Sequence, residues 1–202
     1  MSNKTAATSE PIHDLIAMRW SPRAIDQQKP VERKKLISVL EAARWAPSCF
    51  GDEPWRYLVW DRFEDQKSWQ QAFDCLAEGN QAWVRNAPIL MTSLANSEFT
   101  RNGKPNRWGQ YDTGAASENL CLQATALGLV AHQMGGFNAE KVKQVFSVPE
   151  QFTPMSMIAI GYPGNSEELP EKYRESELGI RKRRALEESF FFGEWNKSLN
   201  TG

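Results

Sequence analysis

Tyr111-Asp-Thr-Gly-Ala-Ala-Ser-Glu-Asn-Leu-Cys-Leu-Gln-Ala-Thr-Ala-Leu127, then Gly128, then Leu129-Val-Ala-His-Gln-Met134, is the stretch on which the fold turns. Its first part is rich in Ala, Leu and Gln, all good helix formers, and reads as the longest helix of the chain. Gly128 suits the left-handed residue that ends such a helix. Leu129–Met134 then reads as a short strand or loop. Outward from this unit, Tyr57–Trp60, Ile89–Leu94 and Met155–Tyr162 are apolar runs of strand length. Helices are predicted from Pro11, over Val31–Trp45, Phe63–Leu76, Glu78–Asn86 and Ala139–Phe146. The first should carry Ile12, Leu15, Ile16 and Met18 to the core, and the second Leu36, Ile37, Leu40 and Ala43 or Arg44. Helices and strands interleave, but the connections are too irregular for a βαβ series. The expectation is an α+β domain with one mixed sheet covered by helices.

Bulk properties narrow the function classes. At 202 residues the chain can build a core without disulfide staples. A net charge of -1 argues against a general nucleic-acid binder. Cys49, Cys75 and Cys121 are odd in number and widely spaced, which suits neither a disulfide framework nor a zinc site. His13 and His132 are too few for a histidine-based metal centre, so no metal is expected. No apolar run approaches the ~20 residues of a membrane-spanning helix, and residues 1–10 read as a flexible polar lead without a signal core. A cytoplasmic location without a membrane partner is the expectation. Phosphate-loop, Gly-x-Gly-x-x-Gly, Gly-x-Ser-x-Gly and His-Glu-x-x-His patterns are all absent from the sequence.

Four stretches carry candidate chemistry. In Arg19-Trp20-Ser21-Pro22-Arg23 the polar residues recur every second position, and Pro22 favours extended backbone before it. Two guanidinium forks and a hydroxyl on one ledge suit a phosphate and neighbouring hydroxyls. Ala46-Pro47-Ser48-Cys49-Phe50-Gly51-Asp52-Glu53-Pro54-Trp55 is a loop held between two prolines. Asn80, ahead of a strand, offers a donor and an acceptor to a ring edge or serves as a cap. Gln133-Met134-Gly135-Gly136 follows a strand, and paired glycines allow backbone N–H groups close to a flat ligand or make an ordinary turn. Arg181-Lys182-Arg183-Arg184 repeats the spacing of two, flanked by glutamates. It reads as a second guanidinium pair or as a solvated charged face.

The order of these features resembles the FMN-dependent nitroreductase family over residues 11–195: Arg-x-Ser-x-Arg, Ala-Pro-Ser…Pro-Trp, Asn-x-x-Trp-x-x-x-Ala-Pro, Asp112-Thr-Gly114…Glu118-Asn119-Leu, Ala-Leu-Gly-Leu, Gly-Gly-Phe, Ile-Gly-Tyr-Pro and the late Arg-x-Arg. The resemblance implies a mainly antiparallel central sheet and a homodimer with FMN at the subunit interface. It also implies a C-terminal arm, residues 165–195, exchanged between partners and followed by a flexible tail, 196–202. Arg19, Ser21, Arg23, Arg181 and Arg183 would hold the FMN phosphate and ribityl chain, with Trp20 beside them. Asn80 would meet the pyrimidine edge. Gly135 would present its backbone N–H to the flavin N5, with Gln133, Met134 and Gly136 lining that face. Pro47, Ser48 and Cys49 would come from the other subunit.

The implied activity moves electrons from NAD(P)H to nitroaromatic, quinone or similar flat acceptors by alternating half-reactions, with no catalytic side chain. The sequence departs from the family pattern in four places. Gly51 stands where members often have Asn, and Glu53 where they have Gln. Trp83 stands where some carry Lys near the flavin, and Gly135 where some carry Glu. Two other readings stay open: a flavin-binding or flavin-transfer module without turnover, and a dimeric interaction protein whose Arg clusters meet acidic partners.

Overall fold

The computed structural model describes residues 4–85 and 87–198. Seven α-helices and four strands are found among them: α1 (Asp14–Met18), α2 (Arg33–Arg44), β1 (Trp55–Asp61), α3 (Gln66–Phe73), α4 (Glu78–Val84), β2 (Ile89–Asn96), α5 (Gly109–Ala126), β3 (Val130–Met134), α6 (Ala139–Val145), β4 (Phe152–Gly161) and α7 (Glu171–Leu178). The sheet order is β1-β2-β4-β3. All three pairings are antiparallel, so the sheet of one chain carries no parallel pair among the described residues.

Helix α5 behaves as its composition predicts. Leu127 caps it, and Gly128 follows at φ +72°, the left-handed conformation a Cβ disfavours. It packs with α2 on one face of the sheet, burying Val39, Ala43, Ala116, Leu120 and Ala124 against Met91, Ile158 and Ile160. On the other face α3, α4 and α6 bury Trp69, Ala72, Trp83, Val84 and Val142 against Leu90, Met157 and Ala159. The central strand β2 is buried along nearly its whole length, as its unbroken apolar run requires.

Element boundaries shift for local reasons. The helix predicted from Phe63 begins at Gln66 because the Asp65 side chain accepts the Ser68 N–H and caps it. The helix predicted to reach Asn86 ends at Val84, and Asn86 lies outside the described residues. Strand β4 starts at Phe152, ahead of the predicted Met155. The register slips between Ser93 and Leu94, which leaves Met155 as a bulge residue beside Pro154.

Two larger corrections follow. Of the first predicted helix, α1 keeps only Ala17 buried, while Ile12, Ile16 and Met18 stay exposed. This five-residue helix packs on α5, and its outer side chains stay exposed among the described residues. Residues 171–178 form α7, which charge density alone did not indicate. It docks on its own chain, with the Tyr173 hydroxyl donating to the Gly79 carbonyl and the Arg174 Nε to that of Leu169. Beyond it the terminal stretch is open: Phe190, Phe192 and Trp195 are exposed, with the Trp195 ring centroid 4.9 Å from that of Phe191.

Candidate functional site

The Arg19–Arg23 ledge leaves the C-terminus of α1 in extended conformation, Arg19 having φ -62° and ψ 125°. Alternation then divides its side chains. Pro22 turns inward to line a cavity of about 340 Å³ with Ala24 and Val130. Arg19, Ser21 and Arg23 line a second pocket of about 220 Å³, together with Trp20, Arg181 and Arg183. Arginines from opposite ends of the chain therefore meet at one place.

Their surroundings are unbalanced in charge. Burial first, then the cations Arg19 and Arg183, push the Arg181 guanidinium below its usual range. Its Nη1 donates to the carbonyls of Lys4 and Ala17, 2.8 and 2.7 Å away. The Arg23 Nη1 reaches Ser176 Oγ at 3.3 Å, while its buried Nε has no hydrogen-bond partner among the described residues. The guanidinium packs on the rings of Trp83 and Tyr173, its carbon 5.8 and 5.4 Å from their centroids, and an unpaired buried donor of this kind is costly. Arg19 is held differently, its Nε 3.0 Å from Glu118 Oε1 on α5.

Three residues that sequence reasoning passed over support this ledge. Glu177 of α7, only 4% exposed, accepts the backbone N–H groups of Arg23 and Ala24 at 3.0–3.1 Å. His132 donates its Nδ1–H to the Pro22 carbonyl at 3.0 Å, and its ring packs on Trp83 at 4.5 Å. Burial pushes the His132 pKa down to about 4, so the imidazole is neutral near pH 7. Lys4, in the stretch expected to be a flexible lead, lines the pocket itself. Only the acid–base type of His132 was visible in advance, and a lone histidine carries little signal.

The ring-edge candidates gather at the end of β3. The Asn80 Nδ2 donates to the Gly136 carbonyl at 2.9 Å, which leaves its Oδ1 as an acceptor. A Cβ on Gly136 would stand 2.8 Å from that Nδ2, so glycine is required for the approach. A Cβ on Gly135 would meet nothing within 4 Å, so the backbone there faces open space. The other two residues of the stretch turn inward. Met134 is buried in the core, and Gln133 is held below the sheet by Cys121 Sγ at 3.5 Å and Ser156 Oγ at 3.3 Å. Trp83 is also core, 2% exposed, and touches the site through Arg23, whose guanidinium carbon lies 5.8 Å from its ring centroid.

Pro47, Ser48, Cys49 and Gly51 are not brought to this place within one chain. Their loop enters β1, the sheet edge opposite β3, three strand spacings or roughly 14 Å away. The loop is a built feature nonetheless. Asp112 Oδ2 accepts the Cys49 N–H at 2.9 Å and Ser48 Oγ the Glu53 N–H at 3.1 Å. Phe50 and Glu53 are held at φ 57° and 48°, conformations that non-glycine residues rarely adopt.

The residues present fit FMN. The arginine pocket suits its phosphate, and the Gly135–Gly136 backbone with the free Asn80 acceptor suits the edge and face of a flat ring. No group of three or more metal-binding side chains occurs among the described residues, and no helix there is long and apolar enough to cross a membrane.

Comparison with known proteins gives the chain's relatives. The model of the Nitroreductase family matches residues 16–162. A crystal structure described as an oxidoreductase containing FMN superposes with a TM-score of 0.89 at 32% identity, over 98% of this chain and 99% of its own. A 15.4 kDa protein of Mycolicibacterium smegmatis is 36% identical over 124 residues, 61% of this chain and 82% of the relative. An NADH dehydrogenase of Thermus thermophilus is 26% identical over 186 residues, 76% of this chain and 88% of the enzyme.

Proposed function

The chain belongs to the Nitroreductase family, and from that premise we propose that it is an FMN-dependent oxidoreductase passing electrons from NAD(P)H to nitroaromatic, quinone or similar flat acceptors. The observation that carries this reading is the convergence of Arg19, Arg23, Arg181 and Arg183 on one pocket with the Arg23 Nε still unpartnered.

Bound there, FMN supplies the two-electron relay that no side chain of the site provides. Arg23, Arg181 and Arg183 bind the phosphate, with Arg19 joining as it exchanges Glu118 for the anion. Ser21 meets the hydroxyls of the ribityl chain. Asn80, steadied by Gly136, accepts from the pyrimidine edge, and the Gly135 N–H donates near N5. In this reading NAD(P)H and the acceptor would use the same exposed face of the flavin in turn, a ping-pong order.

We assign the working unit as a homodimer. Pro47, Ser48 and Cys49 stand across the sheet from Gly135, so a second copy is needed to bring them to the ring. The exposed Ile12, Ile16, Met18, Phe190, Phe192 and Trp195 supply apolar surface for such a contact.

The test is spectroscopic. Protein incubated with FMN and freed of excess should be yellow, bleach on anaerobic NADH or NADPH, and regain colour with a quinone or nitroaromatic. Protein that stays colourless overturns the reading. A bound flavin that neither nicotinamide bleaches would leave only a flavin-binding role.

A further inference from the structure

The family match begins at residue 16, yet the arginine pocket has a wall that comes from before it. The Lys4 Nζ donates to the carbonyls of Ser176 and Glu177, 3.0 and 2.7 Å away, in the last turn of α7. Those carbonyls lack partners within their helix, and a cation is the group they attract. The same ammonium lies 4.3 Å from the centroid of the Trp20 ring. The Lys4 carbonyl accepts from Arg181 Nη1, and the Ala6 N–H donates to the Ala17 carbonyl at 2.9 Å. The N-terminal segment is thus stitched between the end of α1 and the end of α7, across the pocket.

We propose that Lys4 is a fifth cation of the phosphate site and that the segment carrying it closes the cradle over the FMN phosphate. The inference rests on the reading that this pocket takes that phosphate. An ammonium has three N–H bonds. Among the described residues two go to the α7 carbonyls, which leaves one for an anion between Lys4 and the guanidinium groups of Arg19, Arg23, Arg181 and Arg183, which line the same pocket. Burial, and then the cations Arg181 and Arg23, weaken the protonated form of Lys4, while Glu177 supports it. An incoming phosphate dianion supplies the counter-charge.

The experiment compares FMN with riboflavin, which has the same ring and ribityl chain but no phosphate. Dissociation constants are measured by flavin fluorescence for the full-length wild type, Lys4→Met and Lys4→Arg, at low salt and at about 0.5 M salt. Lys4→Met should bind FMN about tenfold more weakly than wild type and riboflavin equally well. The difference should shrink at high salt, and Lys4→Arg should recover FMN affinity to within about threefold. Deletion of residues 1–5 should reproduce Lys4→Met. FMN affinity unchanged in Lys4→Met, or FMN and riboflavin weakened alike, overturns the proposal while leaving the FMN site standing. A wild type that binds neither flavin overturns the site itself, and this inference with it.

Discussion

Both carboxylate oxygens of Glu177 accept the backbone N–H of Arg23, at 3.1 and 3.0 Å. The contact joins two segments 154 residues apart in sequence. One is the ledge that presents guanidinium groups, and the other is the helix that leads to Arg181 and Arg183. The pocket is assembled only when the two ends of the chain are docked, and Glu177 is the group that docks them.

Glu177→Ala should therefore cost stability and cofactor affinity together. The N–H groups of Arg23 and Ala24 would lose their acceptor in a buried place, a penalty of about 2–3 kcal/mol. The urea midpoint of the apoprotein should fall. Glu177→Gln, which keeps one acceptor oxygen, should recover roughly half of that loss. A midpoint unmoved by Glu177→Ala would show that the contact does not hold the ledge.

The Arg19 Nε is paired with Glu118 Oε1 at 3.0 Å, so on the proposed reading Glu118 would compete with phosphate for that guanidinium. The pair is partly exposed, so it contributes at most about 1 kcal/mol. Glu118→Gln should tighten FMN by up to about fivefold and leave riboflavin affinity alone. Fluorescence titration of the two ligands decides it, and an unchanged FMN constant would remove Arg19 from the phosphate ligands.

The paired glycines separate packing from binding. Gly136→Ala sets a Cβ 2.8 Å from Asn80 Nδ2, so that side chain must swing aside and give up its bond to the Gly136 carbonyl, which should lower stability by about 1 kcal/mol and misplace the Oδ1 acceptor. Gly135→Ala meets nothing within 4 Å and should leave the thermal midpoint unchanged while weakening both FMN and riboflavin. If Gly135→Ala binds both flavins as the wild type does, the ring does not lie against that backbone.

His132 predicts a pH dependence. Its folded pKa is about 4 against 6.5 for an unburied imidazole, so the unfolded chain binds more protons between these values. Its contribution is complete above pH 6.5 and is lost progressively as pH falls from 6.5 towards 4, by about 3 kcal/mol in all. Urea unfolding at pH 7.5 and pH 5 should show the decline, and His132→Asn should flatten it. An equal decline in the variant would assign the effect to other groups.

The sheet and its covering helices were legible because burial is written in apolar runs and helix periodicity. Ile89–Leu94 is an apolar run of strand length, and Gly128 suits the left-handed stop of the helix before it. The ledge of Arg19, Ser21 and Arg23 was legible for a similar reason, since residues two apart in extended backbone share a side whatever surrounds them. That Arg181 and Arg183 stand beside it was implied by the family resemblance, and the five residues line one pocket.

Amphipathic pattern was a poorer guide at α1, whose apolar face is left uncovered among the described residues. Ile12, Ile16 and Met18 read as core and are exposed, because periodicity reports that a face seeks burial but not what buries it. The partners of Arg23 were invisible for the opposite reason. Glu177 sits in a run of charge, Lys4 in a polar lead, and His132 alone in a strand, with no local spacing that marks them. Local sequence determined which segments become helix, strand and cationic ledge, since those follow from backbone sterics and side-chain alternation. Only the folded chain decided that a glutamate, a lysine and a histidine from three distant segments hold the ledge in place, because docking and desolvation depend on neighbours in space.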